Sequence, residues 1–139
     1  MNAGELFADA ASVQFYDWPH PDVVAVVLRV GKTVYGHTPA GYSQHAIVAE
    51  PSDEIFRRFP VSGGGFLISI PIEGAPPADL VITYRPPEEQ AGILEMARQQ
   101  GAQSFWIQPP AETSAEARAA ATAAGVAFVE GVDLRDLAS

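Results

Sequence analysis

The chain has no cysteine, a single lysine and three histidines among its 139 residues. Without cysteine there are no disulfides, thiol nucleophiles or thiolate-held metals, and the composition suits a reducing compartment, so the expected location is cytoplasmic. No two of His20, His37 and His45 stand three or four residues apart with a carboxylate between them, so no metal site is expected. No apolar run approaches the ~18 residues that span a membrane. The opening "MNAGELFADAAS" carries acids and no base, unlike a signal peptide. Basic residues are scarce: seven Arg and one Lys stand against 17 acids, for a formal net charge of −9. A field of that sign repels nucleic acid and anionic membranes. It still admits a small anion held locally by backbone N–H groups.

What is present reads as one domain spanning 1–139, with 1–21 as an N-terminal extension and 22–139 as the core. "GELFADAA" (4–11) predicts a short amphipathic helix. "DVVAVVLRV" (22–30) is nearly continuous valine, which predicts a strand buried on both faces, as in parallel sheets. "GKTVYGHTPAGYS" (31–43) is broken by Gly and Pro, "QHAIVAEP" (44–51) predicts a second strand, and "SDEIFRRF" (52–59) a short helix. Residues 61–77 predict a turn and an irregular or antiparallel piece. "DLVITY" (79–84) predicts a strand. "RPPEEQAGILEMARQQG" (85–101) predicts a helix with prolines at its entry, Glu88 and Glu89 in the first turn, Arg98 in the last and Gly101 beyond. "SFWIQ" (104–108) predicts a strand, and "TSAEARAAATAAG" (113–125) a helix with Thr113 and Glu116 as capping box and Gly125 as stop. "VAFVE" (126–130) predicts a last strand. Strand–helix alternation from residue 79 builds a parallel sheet. The expected fold is therefore three-layer α/β with a mainly parallel sheet of five or six strands. Strands 79–84 and 104–108 should be adjacent and parallel. Ligands on such sheets bind at the carboxyl edge, where strand order reverses, and Tyr84, Arg85 and Gln108 all stand at strand ends.

The stretch "ADLVITYRPPEEQAGILEMARQQGAQSFWIQPPAETSAEARAAATAAGVAFVE" resembles the small CoA-binding domain family. These are Rossmann-like domains similar to the N-terminal domain of succinyl-CoA synthetase α subunits. The matching motifs are an aromatic-Arg-x-Pro-Glu strand end, seen as "TYRPPEE", and a Phe-Trp-Ile-Gln strand, seen as "FWIQ". "GYSQHAIVAEPSDE" (41–54) is similar to the family's second strand. The resemblance covers roughly 78–130 and, more loosely, 41–54. It implies a Rossmann-like fold that holds CoA, acyl-CoA or a related nucleotide. In that reading Leu28 stands where the family's phosphate loop has its first glycine. Glu50 replaces an asparagine, and "EGVDLRDLAS" lacks the family's Asp-Arg-Cys ending.

The candidate ligand-binding residues follow. Arg29, Gly31 and Lys32 form a phosphate clamp after the expected first strand. Pro51 and Ser52 end the second. Tyr84, Arg85 and Pro86 form the corner that the resemblance places against the nucleotide, with Tyr84 packing on a base and Arg85 pairing a phosphate. Gln108 bonds either a ligand or loop backbone. Bland roles compete with each: Arg85 pairs Glu88 or Glu89, and Trp106 is core. No Ser stands in a Gly-x-Ser-x-Gly elbow and no catalytic constellation emerges. The expectation is a non-catalytic binding module for CoA. The alternative is a degenerate member that has lost its ligand and works through protein contacts, most simply as a homodimer.

Overall fold

The computed structural model describes residues 2–17, 21–30, 32–37, 44–49, 67–71 and 79–137. In chain order the elements are α1 (Ala3–Asp9), β1 (Ser12–Tyr16), α2 (Pro21–Arg29), β2 (Thr33–His37), β3 (Gln44–Ala49), β4 (Leu67–Pro71), β5 (Leu80–Thr83), α3 (Pro87–Gln99), β6 (Ser104–Ile107), α4 (Ala115–Ala124), β7 (Ala127–Val129) and α5 (Leu134–Leu137).

The described strands form one seven-stranded sheet in the order β4-β3-β2-β1-β5-β6-β7. β2, β1, β5, β6 and β7 are parallel, and β3 and β4 extend one side antiparallel. The expected mainly parallel α/β fold holds. β5 and β6 are adjacent and parallel, with Val81 opposite Phe105 and Ile82 opposite Trp106. The antiparallel piece expected within 61–77 is β4.

Side chains alternate across the sheet because strand periodicity is two. Val13, Phe15, Leu80, Ile82, Trp106 and Val129 face one way, packed with Phe7 of α1, Val23, Val24 and Val27 of α2 and Leu134 of α5. Val81, Phe105 and Ile107 face the other way, against Ile93, Leu94 and Ala97 of α3 and Ala121 of α4. The result is three layers, each fully buried side chain of this kind stabilising by about 1.5–3 kcal/mol.

Helix α3 begins at its second proline, with Glu88 and Glu89 in the first turn and Arg98 in the last. Helix α4 is capped by Ser114, whose Oγ accepts from Ala117 N–H at 3.1 Å, one residue later than the expected Thr113. It stops at Gly125, whose φ of 73° is left-handed, where glycine carries no Cβ penalty.

Two sequence expectations fail in the N-terminal third. The valine run at 22–30 is helix α2, not a strand. Its buried Val23, Val24 and Val27 fall on one helical face, and packing that face on the sheet outweighs the β-propensity of valine. Residues 1–21 are no extension either: they hold α1 and β1, and β1 lies between β2 and β5 within the sheet. The second parallel strand is accordingly β2, while 44–49 forms the antiparallel β3. The helix expected at 52–59 lies outside the described residues.

Candidate functional site

Strand order reverses at β1: the chain moves from β1 to β2 on one side and returns to β5 on the other. A crevice opens at such a switch point, outside the carboxyl ends of the strands. Here those ends are Asp17 after β1 and Tyr84–Arg85 after β5, and the two are knit together. The N–H of Tyr84 donates to the carbonyl of Tyr16 at 3.4 Å. The N–H of Arg85 donates to Thr83 Oγ1 at 3.0 Å.

Arg85 lies across this crevice. Its Nη1 donates to Asp17 Oδ2 at 3.1 Å, and its Nη2 and Nε donate to Glu89 Oε2 and Oε1 at 2.8 and 3.3 Å. The pairing with Glu89 is bidentate, the geometry that a planar guanidinium favours. The side chain is 26% exposed, so solvent reaches it. Of the two acids considered as partners from the sequence, Glu89 is the one engaged. Glu89 and Asp17 hold the guanidinium firmly charged, against the opposing effect of its partial burial.

A second guanidinium stands nearby. Arg135, in α5, donates to Asp22 Oδ2 at the start of α2 (2.9 Å) and to Asp133 Oδ2 (2.7 Å). Asp133 is held well below the usual carboxylate range, chiefly by Arg135, with Gln108 contributing. Tyr84 feels both networks. Burial pushes its hydroxyl well above the ordinary tyrosine range, Asp22 adds to the rise, and Arg135 opposes it.

Two buried amides fix the loops of this edge. Gln108 donates from Nε2 to Asp133 Oδ1 at 2.9 Å and accepts at Oε1 from Leu134 N–H at 3.2 Å. It thereby ties the end of β6 to the start of α5, helped by Trp106 Nε1, which donates to Val132 O at 3.1 Å. Gln90 donates to the carbonyls of Arg85 (3.0 Å) and Glu112 (2.6 Å) and accepts from Ser114 N–H (2.8 Å). The loops after β5 and β6 are thus held to one α3 side chain.

The sequence-derived candidates therefore divide. Tyr84, Arg85, Pro86 and Gln108 all stand at the carboxyl edge. Arg29 ends α2 and Lys32 precedes β2, which places both at the opposite, amino edge, because β2 runs parallel to β1. Lys32 Nζ donates to the carbonyls of Ala10 (2.6 Å) and Ala8 (3.3 Å) and lies 4.8 Å from the centroid of the Phe7 ring. It closes the end of α1, and the expected Arg29–Lys32 clamp cannot share a site with Arg85. The sequence groups these residues with Arg85 only if the valine run is the first strand, and that run is helix α2. The segment that follows the actual first strand is Asp17-Trp18-Pro19-His20, not the stretch after Leu28. Gly31, Pro51 and Ser52 lie outside the described residues. Asp17, Asp22, Gln90, Asp133 and Arg135 were not among the candidates. The prolines after Asp17 and the acid at Asp22 are start signals for α2 that would have exposed the first two. No local signal joins Asp22 to Arg135.

Asp17 has a φ of 74°, a region that a residue with a Cβ enters at a cost of about 1–3 kcal/mol. In dinucleotide-binding folds the turn after the first strand is glycine, so that backbone can approach pyrophosphate. Here the turn has left-handed geometry with a carboxylate attached. Among the described residues no cluster of His, Asp and Glu has metal-binding form. A cavity of about 240 Å³ lined by Leu6, Asp9, Ala10, Asp79, Gln103 and Ser104 lies at the amino edge, away from this crevice.

Among solved structures the fold is matched by a hypothetical protein from Pyrococcus horikoshii OT3. The TM-score is 0.64 and the identity 17%, over 96% of this chain and 84% of the other. The crystal structure of Prb, a protein redesigned for binding, matches with a TM-score of 0.65 and 18% identity, over 96% and 85% of the two chains. At these identities the likeness is one of fold. Among curated proteins none matches the chain. The sequence model of one family, described as a CoA binding domain, matches residues 66–132, which include the Tyr84–Arg85 corner, α3, β6, Gln108 and α4. The resemblance read from "TYRPPEE" and "FWIQ" is therefore matched by that family model over residues 66–132, just under half of the chain, on an α/β, Rossmann-like fold.

Proposed function

We propose that the chain is a non-catalytic module that holds CoA, acyl-CoA or a related nucleotide in the crevice between the carboxyl ends of β1 and β5. The observation that carries this reading is the position of Arg85. It lies within the segment matched by the CoA-binding family and spans the switch point of the sheet through Asp17. Tyr84 and Pro86 flank it, and Gln90 fixes its carbonyl. In this reading Arg85 pairs a phosphate and the Tyr84–Pro86 corner supports the nucleotide. Gln108 holds the rim in place. The absence of cysteine suits work in the cytoplasm.

The second reading is a family member that has exchanged ligand for protein contacts, most simply as a homodimer. The carboxylate of Asp17 at the turn favours it, because the charge stands where a phosphate would approach.

Thermal unfolding with CoA separates the two. Ligand at ~100 times its Kd should add about 2.7 kcal/mol to stability, and Arg85→Ala should weaken binding by about 1.5–3 kcal/mol. If CoA, dephospho-CoA and ATP at millimolar concentration give neither heat nor a thermal shift, the binding reading is wrong.

A further inference from the structure

The two arginines of the carboxyl edge share an arrangement. Each is clamped between an acid of its own neighbourhood and an acid of the β1–α2 segment. Arg85 takes Glu89, four residues on, and Asp17, 68 residues away. Arg135 takes Asp133, two residues away, and Asp22, 113 residues away. Local partners are what any exposed arginine finds. The two distant partners lie close together in the sequence, Asp17 directly after β1 and Asp22 in the first turn of α2. In a nucleotide-binding sheet this segment offers N–H groups to phosphate. In this chain it offers two carboxylates to the cations that would neutralise a phosphate.

We propose that Asp17 and Asp22 are the specificity-determining residues of this edge, standing as built-in anions on Arg85 and Arg135 and setting how much ligand charge the site accepts. The inference rests on the nucleotide reading of the same crevice. Among the described residues each of the two guanidiniums already holds two carboxylates, Arg85 with Asp17 and Glu89 and Arg135 with Asp22 and Asp133, before any ligand arrives. A phosphate therefore gains a guanidinium only by displacing a carboxylate that stays close by. The uncharged parts of a nucleotide face no such competition. The two carboxylates therefore weaken the hold of the site on each ligand phosphate and reduce its preference for highly charged over weakly charged nucleotides. The exchange is local: it moves partly exposed side chains at an ion-paired rim and leaves the Gln90 and Gln108 bonds intact.

The test is calorimetry with CoA, inorganic pyrophosphate and adenosine on the wild-type chain, on Asp17→Asn, Asp22→Asn and the double variant, with Glu95→Gln as control. Glu95 pairs Arg98 on exposed α3 surface, so E95Q makes the same change in net charge away from the crevice. Circular dichroism establishes that each variant is folded. Each Asn substitution should tighten CoA and pyrophosphate about tenfold, with steeper salt dependence, while adenosine is unaffected and E95Q matches wild type. If only the double variant binds CoA, the inference stands and the proposal that the natural chain binds CoA fails. If wild type binds CoA and the Asn variants bind it equally or more weakly, the inference is overturned and the binding reading survives. If E95Q tightens CoA as much as D22N does, the effect is the overall field and the inference is likewise overturned. Absence of binding in every protein overturns both.

Discussion

The two edges of the parallel sheet are fastened by different chemistry. At the amino edge the charged groups bond to backbone. Asp79 Oδ2 accepts from the N–H groups of Ala11 and Ser12 at 2.9 and 3.2 Å, and Lys32 donates to the carbonyls of Ala8 and Ala10. At the carboxyl edge Arg85 and Arg135 bond to other side chains. A charge spent on backbone cannot be withdrawn without exposing orphaned amides or carbonyls. A charge spent on another side chain that solvent reaches is exchangeable, and solvent-screened pairs contribute about 1 kcal/mol or less. The amino edge is built for stability, whereas the carboxyl edge can give up partners to a ligand and keep its fold.

The largest expected effect falls on the buried strut that makes the carboxyl edge rigid despite its ion pairs. Gln90→Leu leaves Ser114 N–H and the Glu112 and Arg85 carbonyls without their partner and should cost about 2–4 kcal/mol in urea unfolding. A loss below about 1 kcal/mol would mean that the loops need no strut.

Asp79→Ala should follow, at about 2–3 kcal/mol for two charge-assisted bonds to backbone, with ligand affinity unchanged wherever the variant is folded. Altered CoA affinity in this variant would break the division between the edges. Arg85→Ala should show the converse: about 1 kcal/mol or less of stability lost, after allowance for solvent screening, together with impaired binding.

The buried tyrosines give a smaller, pH-dependent effect. Burial raises the hydroxyl pKa of both Tyr16 and Tyr84, so the folded chain favours the neutral phenols more than the unfolded chain does. That stability is complete below about pH 10 and is lost as pH rises toward the folded values. Tyrosinate absorbance from these two should therefore appear only with loss of near-ultraviolet circular dichroism. Ionisation well before unfolding would show that they are not shielded. Smallest of all, Arg118→Ala should leave both stability and CoA affinity unchanged within error, since its pair with Glu130 is exposed.

These differences also explain what the sequence revealed. From residue 79 onward the signals are local: prolines entering α3, the alanine-rich run and glycine stop of α4, and short apolar strands between them. The "TYRPPEE" corner was legible for the same reason. In the N-terminal third the decisive fact is tertiary. The valine run takes helical form because Val23, Val24 and Val27 bury one face on the sheet, and its β-branched composition pointed the other way. That single error moved the expected first strand, and it separates the expected Arg29–Lys32 clamp from Arg85, at the opposite edge of the sheet. Asp17 and Arg135 were illegible because their partners lie 68 and 113 residues away.

The most direct measurement is an amide chemical-shift titration of the full chain with CoA. The division of edges predicts perturbations at Asp17, Asp22, Tyr84, Arg85 and Arg135, with Ala11, Ser12, Lys32, Asp79 and Gln103 unmoved. Perturbations centred on Ala11, Lys32 and Asp79 instead, at the amino-edge cavity, would contradict it.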